Sequence, residues 1–226
     1  MTSAGDPAAR LRGRVAVVTG ASRGIGRAIA DALASAGATV AGCSRSGAES
    51  TIRCDVRSQS DVARFAREVE TKHGPADILV NNAGTVVRAP LVSLEEAAWD
   101  EVVDGNLKGT YLVSRAFLPG MLARGAGGRI VNISSISGRQ GTAGLTAYCA
   151  AKHGVIGFTR ALAEEVRGAG IAVNAVCPGS VDTDMLRIGM PGAKPQMSPE
   201  DVAGVVLYLV AAAPPALTGS CVDVFG

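Results

Sequence analysis

Tyr148 and Lys152, four positions apart, are the sequence's clearest candidates for acid–base chemistry. They begin an Ala-rich segment with helical character, and residues i and i+4 share one face of a helix. An ammonium beside a phenol favours the ionised phenol and would lower the tyrosine pKa from its usual ~10. Such a phenol can give or take a proton near neutral pH. Alone, such a pair is more typical of a helix with one core ring and one solvated lysine.

Two hydroxyl groups come shortly before this pair. Ser134 and Ser135 follow the apolar stretch 129–133, which predicts a strand, and a loop rich in glycine and threonine leads on to Tyr148. The carboxyl end of a strand and the start of the next helix meet at one edge of a parallel sheet. Both serines are therefore candidates for holding a substrate oxygen beside the tyrosine.

The first predicted unit is a strand at 15–18, a glycine-rich turn at 19–26, a helix at 27–36 and a second strand at 38–43. The turn reads Thr-Gly-Ala-Ser-Arg-Gly-Ile-Gly. Its glycines would permit a tight turn, close approach of a pyrophosphate and close packing of helix on strand. The helix N-terminus would offer free N–H groups to the phosphates. This order predicts one half of a dinucleotide-binding domain.

Composition limits the remaining possibilities. The length of 226 residues and the 47% share of hydrophobic residues predict one globular domain over 1–226. The net charge of +2 predicts that this domain binds neither nucleic acid nor membrane. Five scattered cysteines and two histidines argue against a metal site and favour reduced thiols in the cytoplasm. The longest apolar run, 205–213, is too short to span a bilayer. Residues 1–13 are expected to be flexible.

The Thr-Gly-x-x-x-Gly-x-Gly spacing, the Tyr-x-x-x-Lys pair and the upstream serine together resemble the short-chain dehydrogenase/reductase family, from about Arg14 to the C-terminus. The resemblance implies an α/β architecture: a single-domain Rossmann fold whose doubly wound parallel sheet of about seven strands is flanked by helices. The motifs at 19–26 and 178–185 are most similar to those of 3-oxoacyl-(acyl-carrier-protein) reductases and related ketoreductases. Neither motif contains a residue that would recognise an acyl chain.

The resemblance implies four catalytic residues. Ser135, thirteen positions before Tyr148, is selected over Ser134 and would orient the substrate carbonyl. Tyr148 would be the general acid/base, and Lys152 would lower its pKa and bind the nicotinamide ribose. The backbone carbonyl of Asn106 would hold a water that links to Lys152 and completes a proton relay.

The predicted cofactor is NADP(H). Enzymes that use NAD usually carry an acidic residue at the end of the second strand, where this chain has Ser44 followed by Arg45. Arg23 in the glycine turn would face Arg45 across the ribose, and two guanidinium groups suit a 2′-phosphate. The predicted cofactor contacts are Gly20, Ser22, Arg23, Gly24, Ile25, Gly26, Ser44, Arg45, Asp55, Val56, Asn81, Ala83, Gly84, Tyr148, Lys152, Pro178, Gly179, Val181 and Thr183.

The sequence departs from the family pattern in three places, and each departure leads to a structural expectation. Only 46–50 separates the second and third strands, which leaves no room for a helix and opens that sheet edge. Residues 184–197, where relatives carry a helical lid, contain two prolines and two glycines, so a mobile loop over an open pocket is expected. The family's dimer helices, here 106–118 and 148–166, imply a homodimer or homotetramer, although the short C-terminus weakens tetramer packing.

Together these features predict NADPH-dependent reduction of a ketone or 3-oxoacyl carbonyl to a secondary alcohol, or the reverse. The substrate would be a small carbonyl compound or alcohol, with acyl-thioesters among the candidates. The alternative is an NADP(H)-binding regulator without turnover. A regulator of that kind would be expected to have lost Tyr148 or Lys152, and both are present.

Overall fold

A seven-stranded parallel sheet forms the centre of the computed structural model, which describes residues 10–48 and 50–226. The spatial order is β3-β2-β1-β4-β5-β6-β7. The strands span β1 Val15–Thr19, β2 Thr39–Ser44, β3 Ile52–Arg53, β4 Ile78–Asn81, β5 Gly128–Ile133, β6 Ile171–Pro178 and β7 Cys221–Val224. This order confirms the predicted fold.

Helices cover both faces of the sheet. They span α1 Gly24–Ser35, α2 Gln59–His73, α3 Glu96–Val103, α4 Gly109–Arg124, α5 Thr146–Val166, α6 Asp184–Gly189 and α7 Pro199–Ala211. Among the described residues, no helix is long and apolar enough to cross a membrane.

Alternation along the strands divides the core into two layers. In β1, Val15 and Val17 pack into the cluster that contains Phe65 of α2 and Phe117 of α4, whose rings meet edge to face at 5.5 Å. Neighbouring Ala16 and Val18 face the opposite layer, formed chiefly with α1 and α7. Because successive side chains of a strand point to opposite faces, one apolar strand supplies both layers.

The direction of winding changes at β1, which pairs with β2 on one side and β4 on the other. In an open parallel sheet, such a switch point leaves a crevice beyond the carboxyl ends of the strands. The predicted glycine turn, the segment 81–84 and the segment 134–135 all follow strands that end at this edge. The topology alone therefore gathers most of the candidate site residues.

Two segments predicted to be flexible are partly ordered. Leu11 lies in the predicted flexible N-terminus, yet it is buried and its N–H donates to Ala36 O at 2.9 Å; residues 1–9 lie outside the described part. In the predicted lid loop, residues 184–189 form helix α6, because Thr183 caps its first turn by accepting from Leu186 N. Gly189 then packs against Val86 at the helix end.

The gap between β2 and β3 behaves as predicted within the described residues, which form bends and turns rather than a helix there. The predicted helix at 106–118 differs in form. A π-helical turn over Asp104–Lys108 precedes α4, which continues to Arg124.

Candidate active site

The glycine turn forms a tight cradle between β1 and α1. Gly20 and Gly24 have positive φ angles of 66° and 53°, a region that favours glycine. A Cβ on Gly26 would overlap the Gly20 carbonyl and the Asn82 side chain. The first turn of α1 has no side-chain cap, so its N–H groups remain available to an anion. These features fit a dinucleotide pyrophosphate.

A cavity of about 700 Å³ lies in the crevice beside this cradle. It is lined by almost all the predicted site residues: Gly20, Ser22, Arg23, Gly24, Ile25, Gly26, Ser44, Arg45, Asp55, Val56, Ala83, Gly84, Ser135, Tyr148, Lys152, Pro178, Gly179, Val181 and Thr183. Asn81 and Asn106 do not line it in the described structure.

The side chain of Asn81 does not line the cavity, and its predicted cofactor contact stays a prediction. It is buried, and its Nδ2 donates to Ser114 Oγ at 2.9 Å and to Asn132 Oδ1 at 2.8 Å. Asn132 in turn donates to Thr159 Oγ1 at 2.9 Å. These bonds tie β4, β5, α4 and α5 together. Asn82 lines the cavity and donates to Thr19 O at 2.9 Å, which supports the turn.

The two rival serines have different surroundings. Ser134 Oγ donates to the carbonyl oxygen of Lys152 at 3.0 Å and so ties β5 to α5. Ser135 Oγ accepts from Ser137 N at 3.1 Å, which leaves its own proton to donate towards Tyr148 or towards a substrate oxygen. The geometry therefore favours Ser135 as the residue that holds a substrate oxygen.

Tyr148 and Lys152 are both buried on the inner face of α5. Lys152 Nζ lies 5.5 Å from the centre of the Tyr148 ring and donates to Ile133 O at 2.8 Å. Tyr148 Oη donates to the Met185 Sδ of α6 at 3.8 Å. The pair therefore lies together at the cavity wall, between the end of β5 and α6.

Burial dominates the pKa values of this pair. It raises the pKa of Tyr148 to about 12, although hydrogen bonding with Ser135 acts in the opposite direction. Burial also lowers the pKa of Lys152 to about 8. The expected lowering of the tyrosine pKa is therefore absent here, because loss of hydration costs the phenolate more than the hydrogen bond with Ser135 returns.

Asn106 sits in the π-helical turn that precedes α4. Its Nδ2 donates to Thr85 O at 2.7 Å and to Val102 O at 2.8 Å, while its backbone oxygen accepts from Thr110 Oγ1 at 2.7 Å. Its buried Oδ1 has no hydrogen-bond partner within the described chain. Isolated π turns often mark functional sites, and no sequence signal predicted this one.

Asn106 and Lys152 approach each other beside Gly84. A Cβ at Gly84 would overlap Asn106 Oδ1 and lie 3.7 Å from Lys152 Nζ. The glycine therefore allows an amide oxygen and an ammonium to lie close to one another. The predicted relay role of Asn106, in which its backbone carbonyl holds a water that links to Lys152, stays a prediction.

The end of the cavity near β2 and β3 is rich in arginine. Arg57 makes a bidentate pair with Asp55, with a shortest separation of 2.6 Å, and this pair lowers the Asp55 pKa. Arg45 and Arg57 approach the same oxygen of Glu101, at 3.8 and 3.9 Å. Sequence reasoning missed Arg57 and Glu101, which line the cavity. Arg57 lies two positions after Asp55, a local signal that could have identified it.

Arg23 and Ser44 complete this end in different ways. Arg23 Nη1 reaches across the cavity to Asp184 of α6 at 3.3 Å, and both side chains are exposed. Ser44 is buried, with its hydroxyl 2.8 Å from Thr51 Oγ1 and accepting from Gly47 N at 3.1 Å. Its hydroxyl therefore supports the β2–β3 connection.

At the opposite end, the segment after β6 forms the wall. Thr183 Oγ1 donates to Val181 O at 3.3 Å while it caps α6, and Val181 forms an isolated bridge with Met197. The segment is thus fixed to the lid, and Thr183 links the cavity wall to α6.

The family model described as short chain dehydrogenase matches residues 14–189. The chain belongs to the short-chain dehydrogenase family. It is therefore an oxidoreductase of a family that binds nicotinamide cofactors, and the cradle at Gly24 and Gly26 fits such a cofactor.

Relatives include the 3-oxoacyl-(acyl-carrier-protein) reductase of Pseudomonas aeruginosa, 42% identical over 96% of this chain and 97% of that protein. The enzyme of the same name from Vibrio harveyi is 36% identical, with 96% and 97% covered.

Solved structures show the same fold. The ligand-free aldohexose dehydrogenase of Thermoplasma acidophilum is 32% identical with a TM-score of 0.88, covering 95% of this chain and 93% of that one. A carveol dehydrogenase of Mycobacterium avium in complex with NAD is 28% identical with a TM-score of 0.89, covering 96% and 98%.

Proposed function

We propose that the enzyme reduces a ketone or 3-oxoacyl carbonyl to a secondary alcohol, or catalyses the reverse, with NADP(H) and with Tyr148 as the general acid/base. The observation that carries this proposal is the convergence of Ser135, Tyr148 and Lys152 on one cavity that also contains the glycine cradle. When bound, the nicotinamide cofactor supplies the hydride. The chain's own groups hold the carbonyl and supply the proton.

Ser135 Oγ donates a hydrogen bond to the carbonyl oxygen and fixes its direction. Tyr148 Oη gives its proton to that oxygen as negative charge develops there. A raised pKa keeps Tyr148 protonated at neutral pH, and an alkoxide is a strong enough base to take the proton. Lys152 binds the ribose hydroxyls and stabilises the phenolate that forms. Asn106 positions the water that returns a proton to the pair.

NADP(H) is favoured over NAD(H) by the charges near β2. No acidic residue follows β2 at the position of Ser44, and Arg23, Arg45 and Arg57 line this end of the cavity. Arg45 and Glu101 are separated by 3.8 Å, with Arg45 largely and Glu101 partly exposed, so their attraction is weak. A dianionic 2′-phosphate competes well for such a guanidinium.

The relatives' names suggest the substrate class to test first. Two are 3-oxoacyl-(acyl-carrier-protein) reductases, so we include acyl-thioesters among the proposed substrates. We further propose a cytoplasmic homodimer or homotetramer that pairs through α4 and α5. Tyr111 and Leu122 on α4 are large apolar side chains with 44% and 43% of their surface exposed, which fits burial in such an interface.

The direct test is a screen of NADPH oxidation over acyl-thioesters, cyclic ketones, quinones and sugars, repeated with NADH. The proposal expects reduction of at least one ketone or 3-oxoacyl thioester, and faster turnover with NADPH. Tight NADPH binding without reduction of any compound would instead support the regulator. Faster turnover with NADH would reject the cofactor assignment.

A further inference from the structure

We propose that Met185 is a specificity-determining residue that contacts the substituent beside the reacting carbonyl and selects apolar substrates. This inference rests on the proposed function and deepens it. Met185 lies in the second position of α6, lines the cavity, and packs against the apolar cluster of Val86, Leu145 and Tyr148.

The sulfur of Met185 accepts the hydrogen bond of the proposed proton donor. Tyr148 Oη points at Met185 Sδ over 3.8 Å, and a thioether is a weak acceptor. A carbonyl oxygen is a better acceptor and takes over this bond when the substrate binds. The thioether is then displaced sideways, and it lies against the group attached to the carbonyl carbon.

The backbone that carries Met185 is held in place. Thr183 caps α6, and Arg88 donates to Gly189 O at 3.0 Å at its other end. The unbranched methionine side chain has three rotatable bonds and a polarizable sulfur, so it can repack around differently shaped apolar groups. Substrate entry therefore requires movement of this side chain rather than loss of the helix.

The side chains that pack with Met185 are largely apolar. Val86 and Leu145 belong to its cluster, and Leu186, Ile188 and Met190 also line the cavity. A hydroxyl beside the carbonyl would lose its hydration there and gain no compensating partner from these side chains. An alkyl group would instead gain contacts. The class selected is a ketone with an alkyl substituent, in preference to a polyol.

The test uses the full-length protein, NADPH and two matched ketones, 2-methylcyclohexanone and 2-hydroxycyclohexanone. Wild type is expected to show the higher kcat/KM with the methyl compound. Met185→Gln, of similar length but polar, should lower that preference about ten-fold, and Met185→Leu should retain it. Val92→Gln places the same amide on a side chain 98% exposed outside the cavity, and should change nothing.

A second readout does not depend on turnover. The chain has five methionines, so their labelled methyl groups can be resolved by NMR and Met185 assigned by its loss in Met185→Leu. Its resonance should shift most when 2-methylcyclohexanone is added to the protein with oxidised cofactor. An unchanged substrate preference in Met185→Gln, or the absence of a shift of the Met185 methyl resonance, would overturn this inference and leave the proposed function standing. Reduction of neither ketone would overturn the inference, and the proposed function falls with it only if the wider screen also yields no reduced ketone or 3-oxoacyl thioester.

Discussion

Tyr148 and Lys152 illustrate how a buried site sets the charge of its residues. Both face the cavity wall, and burial moves their pKa values apart, raising that of the phenol to about 12 and lowering that of the ammonium to about 8. Each shift favours the neutral form of its group. The tyrosine is thereby kept as a proton donor, and the lysine can change charge within a physiologically accessible range.

The lysine shift predicts a pH dependence of stability. Lys152 has a pKa of about 8 when folded, compared with its ordinary 10.5, so between these values the unfolded chain binds more protons. The free energy of unfolding therefore rises with pH between about 8 and 10.5, and this gain is lost again as the pH falls through 8. From pH 8 to 10 the unfolding free energy of wild type should gain about 2 kcal/mol relative to Lys152→Met. The tyrosine has little effect below its ordinary value of 10.

Urea unfolding at several pH values measures this difference, since the titration of all other groups cancels between the two proteins. Lys108→Met, at an exposed lysine paired with Asp104, serves as the control. A gap that stays constant from pH 8 to 10 would show that Lys152 keeps an ordinary pKa.

The residues whose position at the cavity the sequence predicted well are those identified by short spacing. Tyr148 and Lys152 share a helix face, and Ser135 follows a strand. The local sequence pattern was therefore sufficient to predict that they lie at one edge of the sheet. Asn81 and Glu101 were not predictable in this way. The partners of Asn81 lie on α4 and β5, and Glu101 meets arginines that follow β2 and β3; such pairings arise only from tertiary packing.

At the scale of elements, a chain of buried amides and hydroxyls holds the site's supports together. Asn132 on β5 accepts from Asn81 on β4 and donates to Thr159 on α5. Because α5 carries Tyr148 and Lys152, this chain fixes the helix of the proposed catalytic pair to the centre of the sheet. Buried polar groups of this kind are costly to leave without partners.

Asn132→Ala should therefore destabilise the protein by about 2–4 kcal/mol, since it removes two buried hydrogen bonds and leaves a small void. The measurement is the urea midpoint at constant slope. Gln140→Ala, at an exposed position after β5, should change stability by less than about 0.5 kcal/mol. Equal effects of the two substitutions would show that the amide chain contributes nothing.

The lid shows where element prediction failed. Glycines and prolines at 189–195 indicated a loop, yet α6 forms before them, because Thr183 caps the helix and Gly189 ends it against Val86. The cap lies in the very segment predicted to bind the nicotinamide. A six-residue helix depends on such tertiary contacts more than on its own propensity.

At the scale of the molecule, the order of the strands decides where the cofactor is expected. The crevice at the β1 switch point places the glycine cradle between an arginine-rich end and the end that contains Tyr148 and Lys152. The formal net charge of the chain is only +2, so the positive charge that matters is local. NADPH recognition should therefore depend on a few arginines and on ionic strength.

The double variant Arg23→Ala/Arg45→Ala should raise the Kd for NADPH about ten-fold or more, while that for NADH changes less than about two-fold. Arg57→Ala alone should act in the same direction. Arg115→Ala, on the exposed side of α4, is the control. Titration calorimetry at low and high salt measures both constants, and equal losses for the two cofactors would reject a 2′-phosphate site.

The central claim is that Tyr148 supplies the proton, and Tyr148→Phe tests it most directly. The substitution removes one hydroxyl and keeps the buried ring. With the ketone that wild type reduces best, kcat should fall about a hundred-fold or more, while the Kd for NADPH stays within about two-fold of wild type. Turnover within about three-fold of wild type, with NADPH binding intact, would contradict the account.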